Sequence, residues 1–237
     1  MPEHDMITVT AFKWVPPFAA GQVRDHRVRW MLNEIGWEYE IDLIDPTIQA
    51  SSGYLAEQPF GQVPVLREVG RPTHFESGAI VLDLAGRSGK LWPADRDAQA
   101  QVRTWVIAAL NSIEPYLSNV AEVDFFTDDE TLRNLRRPRA VAAATQRLGK
   151  LSASLGDRRY IVGDDFTAAD LMLASVLRIA DHADLLAEYP NLSAYRARCL
   201  ERPAFRKAVA DQRRDIAAHG PEDMGWEPAM FAESAAS

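Results

Sequence analysis

The chain has 237 residues, 47% of them apolar and 25% charged, so it can hold one large domain or two modest ones with a sizeable core. Its 34 acidic residues outnumber its 26 basic ones, for a formal charge of -8, which argues against nucleic acid or an anionic membrane surface as partner, since both call for a basic face. The single cysteine, Cys199, excludes an intrachain disulfide and a cysteine-rich metal site.

In chain order, the opening stretch MPEHDMITV is acidic and polar before a short apolar run, so no signal peptide is expected there, and no run reaches the length of a membrane span. The segment ITVTAF alternates and is β-branched, which predicts a strand at 7–12. After the loop KWVPPFAAG, the residues Val28, Met31, Leu32 and Ile35 recur at helical spacing with Gly36 as a stop, predicting an amphipathic helix that starts near Gly21. WEYEIDLID alternates again as a second strand, and 46–61 reads as a polar loop. VPVLREV and PTHF, on either side of Gly70-Arg71, form a predicted hairpin, and 77–85 is a helix.

A short linker, RSGKLWPADR, separates this β-α-β-β-α pattern from an all-helical one. A helix over 97–116 carries Val102, Trp105, Val106, Ala109 and Ile113 on one stripe. Thr127-x-x-Glu130 reads as a capping box opening a long helix that Pro138 should kink. Thr167-x-x-Asp170 is a second capping box, with Phe166 and Leu171 spaced as a hydrophobic staple. Two shorter helices flank Arg202-Pro203, and Cys199 in the first of them reads as a small buried hydrophobe. The expected fold class is α/β plus all-α: an N-terminal thioredoxin-like domain over 1–87, a C-terminal helical bundle over 97–218, and a weakly ordered tail over 219–237 that carries Trp226, Met230 and Phe231.

Two stretches are not ordinary packing. Pro64 lies inside the strand-like run 63–66, where a ladder hydrogen bond is needed. Either Val63-Pro64 is cis, turning the chain so that Val63 presents its N–H and C=O to an extended ligand, or a trans proline opens an edge strand; spacing does not separate the two. Glu76-Ser77 stands where a helix begins, and the free N–H groups and positive dipole end there suit a carboxylate, with Glu76 suited to an amine. Together they fit an α-amino acid end, although an isolated Glu-Ser pair is more often a plain N-cap.

With PFGQVPVL, FESGAI and YIVGDDFTAADLMLASVL in this order, the chain resembles the glutathione transferase family over residues 7–215. The resemblance implies glutathione as co-substrate, no metal, a homodimer, a cytoplasmic location and a role in detoxification. It implies that Glu76 and Ser77 hold the γ-glutamyl end, that Val63 ahead of cis-Pro64 pairs with the cysteinyl backbone, and that Gln62 reaches toward the glycyl end. It further implies a pocket for a small hydrophobic electrophile near Trp14, Asn111 and Tyr116, with Lys13 as another possible wall.

One departure bears on chemistry. The family places a Tyr, Ser or Cys at or just after the first strand to stabilise or bond the glutathione sulfur, and residues 7–35 contain none. Thr8 and Thr10 lie too early to replace it. The remaining means are helix amides near Gly21 and Gln22, with Arg24 as a candidate catalytic cation. Arg24, Arg27 and Arg29 also read as a solvated or salt-bridged face with Asp25 and Glu34. Two functions are therefore carried forward: glutathione transfer, with glutathione-dependent peroxide or disulfide reduction as a variant, and a non-catalytic glutathione-binding or regulatory protein on the same fold.

Overall fold

A computed structural model describes residues 6–227. The chain divides into two compact units: one takes residues up to Ser88 together with those from Pro203 onward, and the other is Gly89–Arg202.

In the first unit, strand β1 (Ile7–Phe12) pairs in parallel with β2 (Glu40–Ile44) and antiparallel with β3 (Val65–Glu68), which pairs antiparallel with β4 (His74–Phe75). The sheet order is β2-β1-β3-β4. Helix α1 (Asp25–Ile35) crosses from β1 to β2 and buries Val28, Met31, Leu32 and Ile35, the stripe expected from sequence. Each such side chain taken out of water contributes about 1.5–3 kcal/mol. Gly36, at φ 77°, ends the helix in the left-handed conformation.

Two short helices, α2 (Pro46–Gln49) and α3 (Ser52–Glu57), occupy the stretch expected to be loop. Both are started by caps: the Asp45 carboxylate accepts from the Thr47 and Ile48 amides, and Ser51 Oγ accepts from the Tyr54 amide. Helix α4 (Ser77–Ser88) packs against α1.

The second unit is helical. Helix α5 (Arg96–Ala108) runs into a π-helical segment, Ala109–Ile113, and then α6 (Glu114–Phe126). Helix α7 (Glu130–Leu155) continues as helix through Pro138. Its cap is Asp129, whose carboxylate accepts from the Leu132 amide, rather than the expected Thr127; the Thr127 carbonyl accepts from Arg133 instead. Helix α8 (Ala168–Leu177) is buried along its whole length and opens on the expected Thr167–Asp170 box. The Asp170 carboxylate accepts from the amides of Ile161 and Thr167 and from the hydroxyls of Thr167 and Tyr195, at 2.8–2.9 Å. Helix α9 (Pro190–Leu200) supplies that tyrosine and the fully buried Cys199.

The expected helical domain over 97–218 is divided differently by these contacts. Helix α10 (Pro203–Ala217) packs along α1 in the first unit, where Phe205 meets Trp30 edge-on at 4.8 Å. From sequence, a helix after helices reads as part of the same bundle. Within the stretch expected as tail, Pro221–Met224 forms a 3-10 turn with Met224 buried. Met230 and Phe231 lie outside the described residues.

Candidate functional site

The Val63-Pro64 peptide bond is cis. Among the described residues nothing hydrogen-bonds the Val63 N–H or C=O. The antiparallel register pairs Val65 with Phe75, so continuing it brings residues 63 and 64 beside 76 and 77. The two stretches singled out from sequence therefore meet at one end of the β3–β4 hairpin. Glu76 is exposed and holds φ 68°, a left-handed conformation unusual for a side chain with a Cβ. Its carbonyl accepts from the Ile80 amide as α4 begins. Ser77 is buried, and its Oγ accepts from Arg27 Nη1 at 3.3 Å. Gln62 is exposed at the entrance to the turn.

Arg27 departs from its sequence expectation. It does not sit on a solvated face; it is 2% exposed and delivers a guanidinium to the start of α4. Arg29 is likewise buried. Its Nε donates to Asp25 and its Nη1 to Asp215 of α10, each at 2.7 Å. Gln212 of α10 donates to the Val23 carbonyl at 2.9 Å and to the Asp25 carboxylate, so α10 grips the chain where α1 begins. Burial pushes the Asp25 carboxyl up, against the pull of Arg29 and Gln212.

The expected thiol-activating amides are not where the sequence put them. Helix α1 begins at Asp25, not near Gly21. Gly21 stands in a turn at φ 85°, where an added Cβ would come within 2.8 Å of Arg213 Nε, and the Gln22 amide already donates to the Ala19 carbonyl. The apolar loop before it tightens into a 3-10 turn, Pro17–Ala19, and this postpones the helix. Arg24 precedes the first helical residue, is exposed rather than on the inward stripe, and its side chain does not cap the helix. The positive end of the α1 dipole instead faces the buried Asp25 in its first turn.

Lys13 is turned to the β2 flank of β1, away from β3. Its amide donates to the Ile44 carbonyl, and its ammonium pairs with Asp45 at 2.8 Å, a hydrogen bond that holds the ammonium pKa above its ordinary value. Trp14 is half-buried and meets Trp226 edge-on at 5.7 Å. Thr10 is spent inside the fold: its hydroxyl accepts from the Val65 amide at 2.8 Å and lies 3.1 Å from Tyr54 Oη.

In the second unit, Asn111 is exposed on the π-helical segment. Tyr116 is half-buried, with the Arg147 guanidinium 4.2 Å above its ring and donating to its hydroxyl. An open cleft of about 1190 Å³ between α1, β2 and α10 is lined by Asn33, Trp37, Tyr39, Lys207 and Arg214, among others, but by none of the candidate site residues. Among the described residues no group of three or more His, Cys, Asp or Glu could hold a metal ion, and no helix is long and apolar enough to cross a membrane.

A four-stranded mixed sheet flanked by helices, with a cis-proline turn facing a helix N-terminus, defines a thioredoxin-like unit, here followed by a helical one. Family models agree on both: the glutathione S-transferase N-terminal domain matches residues 25–87, and the C-terminal domain matches 134–198. Glutathione S-transferase 1 of Zea mays is 32% identical over 200 residues, covering 76% of this chain and 87% of that protein. Glutathione S-transferase 3 of the same plant is 30% identical, over 78% of this chain and 87% of the relative. The Escherichia coli disulfide-bond oxidoreductase YghU is 26% identical over 80% of this chain and 72% of its own. Among solved structures, a Burkholderia graminis glutathione transferase with two glutathione molecules bound per subunit superposes with a TM-score of 0.75 at 24% identity, covering 86% of this chain and 88% of that one. Ure2p in complex with glutathione gives 0.74 at 21% identity, over 89% and 95%. The chain belongs to the glutathione S-transferase family.

Proposed function

We propose that this chain is a glutathione transferase that joins the glutathione thiolate to a small hydrophobic electrophile. The observation that carries the reading is the meeting of cis Val63-Pro64 with Glu76 and Ser77 at one end of the hairpin. That end offers an open backbone N–H and C=O, a carboxylate for an amine, and a serine beside a buried guanidinium for a carboxylate. These groups match the γ-glutamyl-cysteinyl part of glutathione, with Gln62 toward the glycyl end. Trp14 stands as a wall for the electrophile.

The protein's part in the reaction is orientation and a lowered thiol pKa. Arg24 supplies the positive charge in this reading. Relatives named glutathione S-transferase and one named disulfide-bond oxidoreductase support both conjugation and glutathione-dependent reduction as outcomes at this site. Homodimer assembly, a cytoplasmic location and a detoxifying role complete the proposal.

A second reading, a non-catalytic glutathione binder, is favoured by one observation: the side-chain hydroxyl of Thr10 is consumed by Val65 and Tyr54, and residues 7–35 hold no Tyr, Ser or Cys. Titrating the ultraviolet absorbance of bound glutathione thiolate separates the two. A thiol pKa well below that of free glutathione, with turnover of 1-chloro-2,4-dinitrobenzene, supports the enzyme. Binding with an unshifted thiol and no turnover of any electrophile replaces it with the binder.

A further inference from the structure

Three hydrogen bonds run in series through the core of the first unit. The Val65 amide donates to Thr10 Oγ1 at 2.8 Å, Thr10 Oγ1 lies 3.1 Å from Tyr54 Oη, and Tyr54 Oη donates to the Gln62 carbonyl at 2.7 Å. The direction of the middle bond follows from the other two. A carbonyl only accepts, so Tyr54 gives its one proton to Gln62, and the proton between the hydroxyls must come from Thr10. Both hydroxyls are then fully used as donors, with nothing left to activate a thiol.

The relay ends on the two residues that bracket the cis Val63-Pro64 bond. Thr10 on β1 and Tyr54 on α3 are both buried, as are Val63 and Val65. Val63, Val65, Tyr54 and Ile44 form one apolar cluster, so the hydroxyls sit at low dielectric, where a satisfied bond is stronger and a broken one costs more. Tyr54 is itself set in place, since its amide is capped by Ser51 Oγ at 3.2 Å. The preceding chain is held as well: Gln58 Oε1 accepts from the Phe60 amide at 2.7 Å, and Gln49 Nε2 donates to the Gly61 carbonyl at 2.6 Å.

We propose that Thr10 and Tyr54 are positioning residues for the ligand turn, fixing the Gln62 carbonyl and the Val65 amide so that the Val63 N–H and C=O face outward as a ready-made pair for an extended peptide backbone. This rests on the glutathione reading above. Neither residue touches the ligand; each acts through the turn. A purely structural role, as two satisfied polar groups in a core, would lower stability without altering the ligand-binding properties of molecules that remain folded.

The experiment compares Tyr54→Phe, Thr10→Val, Thr10→Ser and the Tyr54→Phe/Thr10→Val double variant in the full chain, at temperatures where urea titration shows each to be folded. Steady-state kinetics with 1-chloro-2,4-dinitrobenzene and calorimetry with glutathione give the readouts. Tyr54→Phe and Thr10→Val should each raise the KM and Kd for glutathione roughly tenfold, with kcat changed far less. The double variant should be no worse than either single one, because both break the same relay. Thr10→Ser, which keeps the hydroxyl, should restore wild-type KM. Folded variants that bind glutathione as tightly as wild type, additive losses in the double variant, or a loss confined to kcat would overturn the relay alone. Wild-type protein that binds no glutathione at 10-fold the KM typical of enzymes (roughly 10 mM at the upper end) would overturn the glutathione reading itself, and with it the role given to these two residues.

Discussion

Arg27 Nη1 lies 3.3 Å from Ser77 Oγ, although 50 positions separate them in the chain. The contact joins the first helix to the start of α4 and brings a buried cation to the place assigned to the γ-glutamyl carboxylate. Ser77→Ala should therefore weaken glutathione binding by about 1.5–3 kcal/mol, roughly 10- to 150-fold. Arg27→Met should weaken it at least as much, because charge and hydrogen bond are lost together. Calorimetry checks both, and unchanged affinity in folded Ser77→Ala protein would remove the assignment.

Glu76 holds a left-handed backbone conformation, with φ at 68°. That costs on the order of 1–3 kcal/mol for a residue with a Cβ, while glycine adopts it freely at an entropic cost of about 0.5–1 kcal/mol. Glu76→Gly should accordingly fold at least as stably as wild type and yet lose glutathione affinity by the same 10- to 150-fold range. Urea midpoints and calorimetry together test the split. A variant that is clearly less stable, or that still binds tightly, contradicts it.

Arg29 bridges the wholly buried Asp25 and the partly exposed Asp215. Removing it leaves Asp25 in a dry site without its main partner. Arg29→Ala should cost about 3–5 kcal/mol of stability, whereas Asp215→Asn should cost about 1 kcal/mol or less. Equal losses in urea unfolding would mean that the buried half of the triad is not the stronger half.

Burial pushes the Cys199 thiol well above its ordinary pKa, with the nearby Asp170 carboxylate acting in the same direction. Its thiolate is thus scarce at any physiological pH, and reaction requires unfolding. A disulfide reagent at pH 8 should label the native chain negligibly and the urea-unfolded chain fully. Rapid stoichiometric labelling of native protein would refute the buried placement.

Much of this was legible from the residues alone. Pro64 inside a strand-like run and Glu76-Ser77 at a helix start each pointed to a binding role, and the register of β3 with β4 then set them side by side. Arginines were harder. Arg24 and Arg27 each lie four residues before a member of the apolar stripe, Val28 and Met31, so spacing treats them alike. Only Arg27 is inside the helix, and only there does the i, i+4 rule hold. The start of α1 differs from expectation at Gln22–Arg24, which carry no breaker and read as a first helical turn, whereas the Gln22 amide bonds back to Ala19 and the helix begins only at Asp25. The Thr10–Tyr54 contact spans 44 positions and has no local signal at all.

Arg24 now stands exposed at the mouth of α1, so its charge is screened by solvent. Arg24→Ala should raise the pH midpoint of conjugation by roughly 0.2–0.7 unit and leave glutathione affinity nearly unchanged. A pH–rate profile decides the matter, and a midpoint that does not move would take Arg24 out of the chemistry.

Because α10 packs on α1 while the whole of Gly89–Arg202 lies between them in the chain, the first unit has an appointment to keep during synthesis. Its sheet and α1 leave the ribosome early, but Trp30 must wait for Phe205 and Arg29 for Asp215. At ordinary elongation rates that interval is roughly 10–35 seconds. During it the nascent chain carries an uncovered apolar helix face beside a buried-type ion pair with one member missing. The intervening unit, Gly89–Arg202, is compact in itself and free to complete itself first, so the part of the protein that is made first is the part that is finished last.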